Sequence, residues 1–482
     1  MNKTQLLFLV ILIEGYAVLA TELLAIRSLV PFVGSGTEVV SIIISAVLMP
    51  LAFGYHIGGN AFKKAYAKSK HKKKEKLSIR KLLLKNVVSS LIVLTIGLSY
   101  VFQEIFFSVL EKVGFTNRLF QTSLYSVLFL SFPVFLLGQT VPLVSNYFSR
   151  EKLSEITGKM LFFSTTGSFL GSVFSTIVLM SYVGVHNTVI VTISLLCILI
   201  LLLVRSIFSF ETILCVIVFL TVYGLNKTET MREFDIYSNN AYNMVRVEDV
   251  PEEERKVLHI NRSTSSQISK DHKYRFEYFA YAEDNIIKPA TEIAKKPLDI
   301  LVVGAGGFAI GIDDKTNNYT FVDIDPDLKD VSEKYFLNRK LTDNKKFIAS
   351  SARAFVHNTK NKYDIIFIDV YTNRISIPME CTTREFLLDV KARLKKGGTI
   401  AANVIASPTF ANRFSVRYNN TFASVFPTFS RQIMQNDTLE AKKRVDDKPA
   451  NIMYIYFDNE YTDDKDLYTD DKNTYSVDQP YN

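Results

Sequence analysis

Two aspartates stand where carboxylates can do chemistry. Asp369 follows the apolar run Tyr363–Ile368, and Asp323 follows Phe321-Val322, nineteen residues after Gly304. A bare carboxylate ending a buried strand is poorly explained by packing, so Asp369 is a candidate catalytic group. Asp323 goes with the turn Gly304-Ala305-Gly306-Gly307. Glycines there let backbone amides and a helix N-terminus come close to a ligand, and an acid about twenty residues on accepts two hydrogen bonds from a ribose diol. Turn and acid together predict a nucleoside site. NAD and S-adenosylmethionine-type ligands fit it equally. Beyond Asp369, the stretch Thr372–Glu380 is long enough to cover a cleft. Thr382 and Glu385 have capping-box spacing and are expected to start a helix rather than serve the site.

The elements that must hold these groups alternate along the chain. Strands are expected at 298–303, 318–323, 346–349, 363–368 and 398–404. Helices are expected from about 276 to 294, from about 307, and over 326–337, 351–359, 382–395 and 409–424. Such alternation builds a parallel sheet with helices on both faces, and ligands bind outside the carboxyl ends of its strands. Before it, Tyr242–Val250, Arg255–Asn261 and Ser265–Ser269 read as a small set of strands split by the charged turn Pro251–Glu254.

The first 230 residues are of another kind. They hold 20 Lys and Arg, 10 Glu and no Asp, a net charge of +10, whereas the remainder is −2. Apolar runs at about 5–29, 38–59, 82–102, 121–146, 160–183, 187–205 and 207–225 each approach the ~20 residues that cross a hydrocarbon core. The first is too long, and too soon followed by a second, for a cleaved signal peptide. A bundle of six or seven transmembrane helices is therefore expected. The basic loop 62–85 places itself and the N-terminus in the cytoplasm by the positive-inside rule. Six crossings would return the C-terminal half to that side and seven would not, so its side stays open. Glu14, Glu22 and Arg27 lie in or beside the first span, where charge is costly. They either line a proton or substrate route or pair with one another and with polar groups on neighbouring helices. Gly167, Ser168, Gly171 and Ser172 signal close helix packing.

These patterns exclude a single soluble globule, a disordered chain and a disulfide-rich secreted module. Three cysteines without a CxxC and six scattered histidines predict neither a disulfide nor a metal site. Nucleic acid is not an expected partner, because the basic excess lies in the apolar half. The divisions expected are a membrane domain over 1–230, a small strand region over 231–275, a Rossmann-like domain over 276–460 and an acidic, disordered tail over 461–482.

Residues 298–428 resemble the catalytic domain of spermidine synthases (polyamine aminopropyltransferases), above all the bacterial branch in which it is fused to an N-terminal membrane region. The matching words are Gly304-Ala-Gly-Gly307, Val322-Asp-Ile-Asp-Pro326, Ser351-Ala-Arg-Ala-Phe355, Tyr363-Asp with Asp369, Ile377-Pro378, Thr382-Thr-Arg-Glu-Phe386 and Leu394-Lys-Lys-Gly-Gly398. In the apolar half, Glu22, Arg27, Pro31, Gly34, Gly54-Tyr55 and Gly58-Gly59 match as well. The resemblance implies transfer of an aminopropyl group from decarboxylated S-adenosylmethionine to an amine such as putrescine, without a metal. It gives Asp369 the role of base, Asp323 that of ribose ligand, and Gly304, Ala305, Gly306 and Gly307 that of the floor under the nucleoside. Ser351 and Ala352 complete the nucleoside set by resemblance. Glu277, Tyr278 and Tyr371 are the amine-side candidates, with Glu283 and Asp284 nearby.

One departure stands out. The family carries Gly-Asp where this chain has Ser350-Ser351, and a hydroxyl in place of that carboxylate predicts weaker adenine recognition. An S-adenosylmethionine-dependent methyltransferase on the same fold stays open, as does a catalytically degenerate nucleoside-binding or transport-associated membrane protein. The expected partners are a lipid bilayer, a small amine and, in a homodimer, a second copy of the chain. The expected location is the cell membrane.

Overall fold

The structure, a computed structural model, describes residues 3–68, 72–148, 153–204, 206, 208–269, 276–372, 377–434 and 449–458. The expected acidic tail lies outside the described residues, as does the middle of the loop after Asp369. The chain forms two compact units. One runs to Asp249 and takes in Val257–Ser265 and Thr372; the other holds Val250–Lys256, Ser266–Tyr371 and the chain from Ile377 onward.

The first unit is helical. Five of its described helices are long and apolar enough to cross a membrane: Thr4–Val33, Thr37–Asn60, Arg118–Ser145, Ser154–Met180 and Val185–Leu203. The expected span at 82–102 is instead a bent pair, Ile79–Gly97 and Tyr100–Lys112, turned by 66° at the Leu98-Ser99 break. Counting that pair as one span gives six. The seventh candidate is a shorter apolar helix, Phe210–Asn226. The segment expected as a basic loop is largely helical, in Thr37–Lys68 and Lys72–Gly97. Lysine and alanine are good helix formers, so charge alone does not make a loop.

Small residues bring the first helix and Leu153–Val173 together as expected. A Cβ at Gly167 would collide with the Leu12 carbonyl oxygen, and one at Gly171 with that of Tyr16. Glu14, Glu22 and Arg27 are all buried. Arg27 donates through Nε to the Asn240 carbonyl at 2.7 Å and through Nη2 to Asn239 Oδ1 at 3.2 Å.

A four-stranded sheet follows, in the order β1 (Ile236–Asn239), β2 (Met244–Val250), β3 (Arg255–Ile260) and β4 (Ser263–Ser269). The first strand has no counterpart among the sequence expectations.

The second unit carries a seven-stranded mixed sheet of the Rossmann-like methyltransferase type. Its strands are β5 (Asp299–Val303), β6 (Asn318–Asp323), β7 (Lys345–Ala349), β8 (Tyr363–Ile368), β9 (Leu394–Ala406), β10 (Phe429–Ile433) and β11 (Ala450–Phe457). The order is β10-β11-β9-β8-β5-β6-β7. From β7 to β9 every pairing is parallel, whereas β11 runs antiparallel to β9 and to β10. The wholly parallel sheet expected from the alternation is thus corrected at one edge. Central strands are near-continuous apolar runs because both faces are covered. Leu301, Val303, Ile366 and Ile400 pack with Phe386, Leu387 and Phe422 from the helices Arg384–Ala392 and Arg413–Ala423.

Two local expectations fail for backbone reasons. No helix forms from 307: the chain turns repeatedly between β5 and β6, with Gly306, Phe308 and Gly311 at φ of +50°, +59° and +64°. Left-handed residues cannot propagate a right-handed helix. Phe308 is held there by burial, with its ring 5.0 Å from Phe321 and 5.4 Å from Phe347. The helix expected from Thr382 starts one residue later. Thr383 is its N-cap and accepts from the Phe386 amide, while the Thr382 hydroxyl donates to the Met379 carbonyl.

Candidate active site

Parallel pairing delivers both aspartates to the same edge of the sheet. β5 lies between β6 and β8, with Val303 opposite Val322 on one side and Ile368 on the other. The Gly304 amide donates to the Val322 carbonyl and the Asp369 amide to the Val303 carbonyl, each at 2.8 Å. Gly304 has φ of +92°, and a Cβ on it would run into the Asp369 carbonyl oxygen. This glycine is required so that the ends of β5 and β8 can stay together.

Asp369 is half-buried and well held. Its Oδ2 accepts from the Tyr278 hydroxyl and its Oδ1 from Asn403 Nδ2, both at 3.0 Å. Tyr278 lies in the first helical turns before β5, with its ring parallel to that of Phe367. Burial pushes the Asp369 carboxyl up to about 6, and the bonds from Asn403 and Tyr278 oppose that rise. Burial and the adjacent Asp369 charge hold the Tyr278 phenol well above its ordinary value. The same two causes act on Tyr371.

Asp323 is half-buried on the other side of Gly304. Its Oδ2 accepts from the Ala305 amide and its Oδ1 from the Asp325 amide, both at 3.1 Å. Burial raises this carboxyl, against the stabilising backbone amides of Asp325, Ala305 and Ile324.

The glycine turn differs from its expected form. With no helix at 307, no helix N-terminus follows this turn. The Gly307 amide donates to Ser266 Oγ on β4 at 2.8 Å, and the Phe308 amide to the Ala305 carbonyl at 2.9 Å. A Cβ on Gly307 would strike the Phe336 ring and Ser266. These glycines serve close packing of the turn.

The remaining candidates divide. Tyr278 reaches Asp369, but Glu277 is exposed in the first turn of its helix. The Tyr371 hydroxyl is tied to the β9 backbone, donating to the Asn403 carbonyl at 3.2 Å and accepting from the Ile405 amide at 2.7 Å. Ser351 caps the helix Ala352–Asn358, accepting from the Ala354 amide at 3.4 Å, with Ala352 as that helix's first residue. Glu283 accepts from the Gly311 amide, and Asp284 pairs with Lys288. Two contributors escaped the sequence reading. Ser266 had no local signal. Asn403 did: it is a lone amide inside the apolar run Thr399–Ile405.

Comparison with known proteins finds relatives for the C-terminal part of the chain. Residues 279–438 match the spermine/spermidine synthase domain, and the C-terminal part of the chain carries that domain. A polyamine aminopropyltransferase of Vibrio vulnificus is 28% identical over 138 residues, 27% of this chain and 46% of that protein. A polyamine aminopropyltransferase of Sulfurisphaera tokodaii is 32% identical over 165 residues, 32% of this chain and 53% of that protein. The chain thus spans about half the length of these relatives. Among solved structures, a probable spermidine synthase from Corynebacterium glutamicum aligns at 20% identity, over 46% of this chain and 78% of that chain, with a TM-score of 0.38.

Proposed function

We propose that the chain is a membrane-anchored aminopropyltransferase that moves the aminopropyl group of decarboxylated S-adenosylmethionine to a small amine of the putrescine class. The observation that carries this reading is the setting of Asp369: half-buried at the strand edge, gripped by Tyr278 and Asn403, and separated from Asp323 only by the Gly304 turn. The names of the relatives agree with it.

Asp323 suits a ribose. A carboxylate offers about four lone-pair sites, and with the amides of Ala305, Asp325 and Ile324 turned to it, capacity remains for a ribose hydroxyl. The bound sulfonium supplies an electrophilic propyl carbon and a neutral thioether leaving group. Asp369 supplies what the acceptor lacks. An alkylamine is protonated near neutral pH and has no lone pair to attack with. Asp369 holds the ammonium, takes its proton and leaves the nitrogen pair in line with the carbon. The nitrogen pair forms the new N–C bond, and the C–S pair returns to sulfur and cancels its charge. A carboxyl near 6 is still ionised at pH 7.5 and is a better proton acceptor than one near 4. On this reading Ser351, which caps the helix Ala352–Asn358, offers the adenine a neutral contact in place of a carboxylate.

The test uses the full chain in detergent. Calorimetry with decarboxylated S-adenosylmethionine, S-adenosylmethionine and methylthioadenosine should give binding of the first and third, and mass spectrometry should detect the aminopropylated amine. Binding of none of the three removes the reading; methyl transfer from S-adenosylmethionine replaces it with the methyltransferase. Because the base must be ionised, kcat/KM should fall tenfold per pH unit below about 6. A profile flat down to pH 5 contradicts Asp369 as the base. The five long apolar helices support anchoring in a bilayer. The chain should then stay in the membrane pellet through an alkaline carbonate wash, and release into the supernatant overturns the anchoring.

A further inference from the structure

Asn403 is 4% exposed, in a strand whose neighbouring residues are apolar. Its Nδ2 donates to Asp369 Oδ1 at 3.0 Å, yet its own Oδ1 is buried with no hydrogen-bond partner among the described residues. A buried amide oxygen without a donor destabilises the fold, and a leucine of similar volume would remove that cost. Something other than packing therefore accounts for an amide here.

The two protonation states of Asp369 make opposite demands. Ionised, it only accepts hydrogen bonds; protonated, it gains one O–H that must be donated. A hydrophobic neighbour serves neither state, and a lysine would serve only the charged one. An asparagine amide offers a donor and an acceptor on one soft, two-fold torsion. We propose that Asn403 is a positioning residue that serves Asp369 in both states, through Nδ2 while the carboxylate is charged and, turned over, through Oδ1 once the carboxyl has taken a proton. The inference rests on the reading of Asp369 as the base. In the step, the proton leaves the acceptor ammonium for the Asp369 carboxylate, the nitrogen keeps the electron pair, and the amide turns without making or breaking a covalent bond. After transfer Asp369 returns the proton to solvent and the amide turns back.

Other groups around Asp369 do not provide this. Tyr278 from the helix and Tyr371 from its own loop are the titratable side chains that act on it, and both remain protonated through the neutral range. The adjoining strands present Gly304 and Asn403 to it.

The experiment compares the full-length wild type with Asn403→Leu and Asn403→Gln. In Asn403→Leu, kcat should fall about tenfold and the acidic limb of the pH profile should move up by about half a unit, because the charge-assisted bond to the carboxylate is stronger than the bond that the neutral carboxyl donates to the turned amide. The KM for the amine and the affinity for methylthioadenosine should stay within about twofold. Asn403→Gln, which keeps the amide, should recover part of the limb shift. The ionisation of Asp369 is also read without turnover, from the protonated-carboxyl infrared band that Asp369→Asn removes. A midpoint that moves up in Asn403→Leu supports the proposal even where the wild type transfers no aminopropyl group, an outcome that would end the transferase reading alone. An unmoved midpoint and limb, or a loss of kcat accompanied only by a lower melting temperature, overturns it.

Discussion

Asp369→Asn should lower kcat about a thousandfold while leaving the affinity for methylthioadenosine within about threefold. The substitution keeps size and shape, so Tyr278 and Asn403 retain a side chain to bond, and the fold around β8 is undisturbed. What disappears is the ability to take a proton from the amine. Calorimetry and single-turnover rates on one preparation separate the two effects. A nucleoside affinity reduced a hundredfold with only a small change in the transfer rate would show Asp369 to be a binding group, and the proposed chemistry would need another base.

The second large effect concerns stability. Gly304→Ala places a side chain at φ of +92° and drives it into the Asp369 carbonyl oxygen, which cannot retreat because the Asp369 amide is bonded to Val303. The left-handed backbone alone costs roughly 1–2 kcal/mol. With the clash against fixed backbone the total should reach about 3 kcal/mol or more. The thermal transition of the C-terminal unit should then drop by roughly 10 °C. Gly397→Ala is the control, because Gly397 has φ of +77° and nothing within 4 Å of its added Cβ. It should show the backbone cost alone, and equal losses at the two positions would remove the steric argument.

The sequence made the site's frame readable because strand ends are marked by chemistry. An apolar run stopping at Asp369, and another stopping at Asp323, locate the carboxyl edge of a parallel sheet, and the structure sets both beside Gly304. Local composition was a poorer guide where the backbone decides. Phe308 looks like the start of an amphipathic helix, but its left-handed φ is set by where its ring is buried, which no window of neighbouring residues reveals. Thr382 is the expected cap, and the path out of the Met379–Cys381 turn gives that role to its neighbour Thr383 instead. β10 and β11 went unread because an antiparallel edge pair is defined by partners far away in sequence. Tyr278 and Asn403 reach Asp369 across 91 and 34 residues, and long-range convergence of that kind leaves no spacing to count.

The inward-turned peptide groups of the glycine loop bear on which coenzymes this strand edge suits. Four of the five N–H groups from Gly304 to Phe308 are already engaged within the protein. Dinucleotide enzymes leave such groups free to wrap a pyrophosphate. Here the wrap is missing and two aspartates flank the same spot, so a bridging diphosphate would meet repulsion instead of donors. On the reading proposed above, this setting favours a nucleoside whose side arm is positive over NAD or ATP.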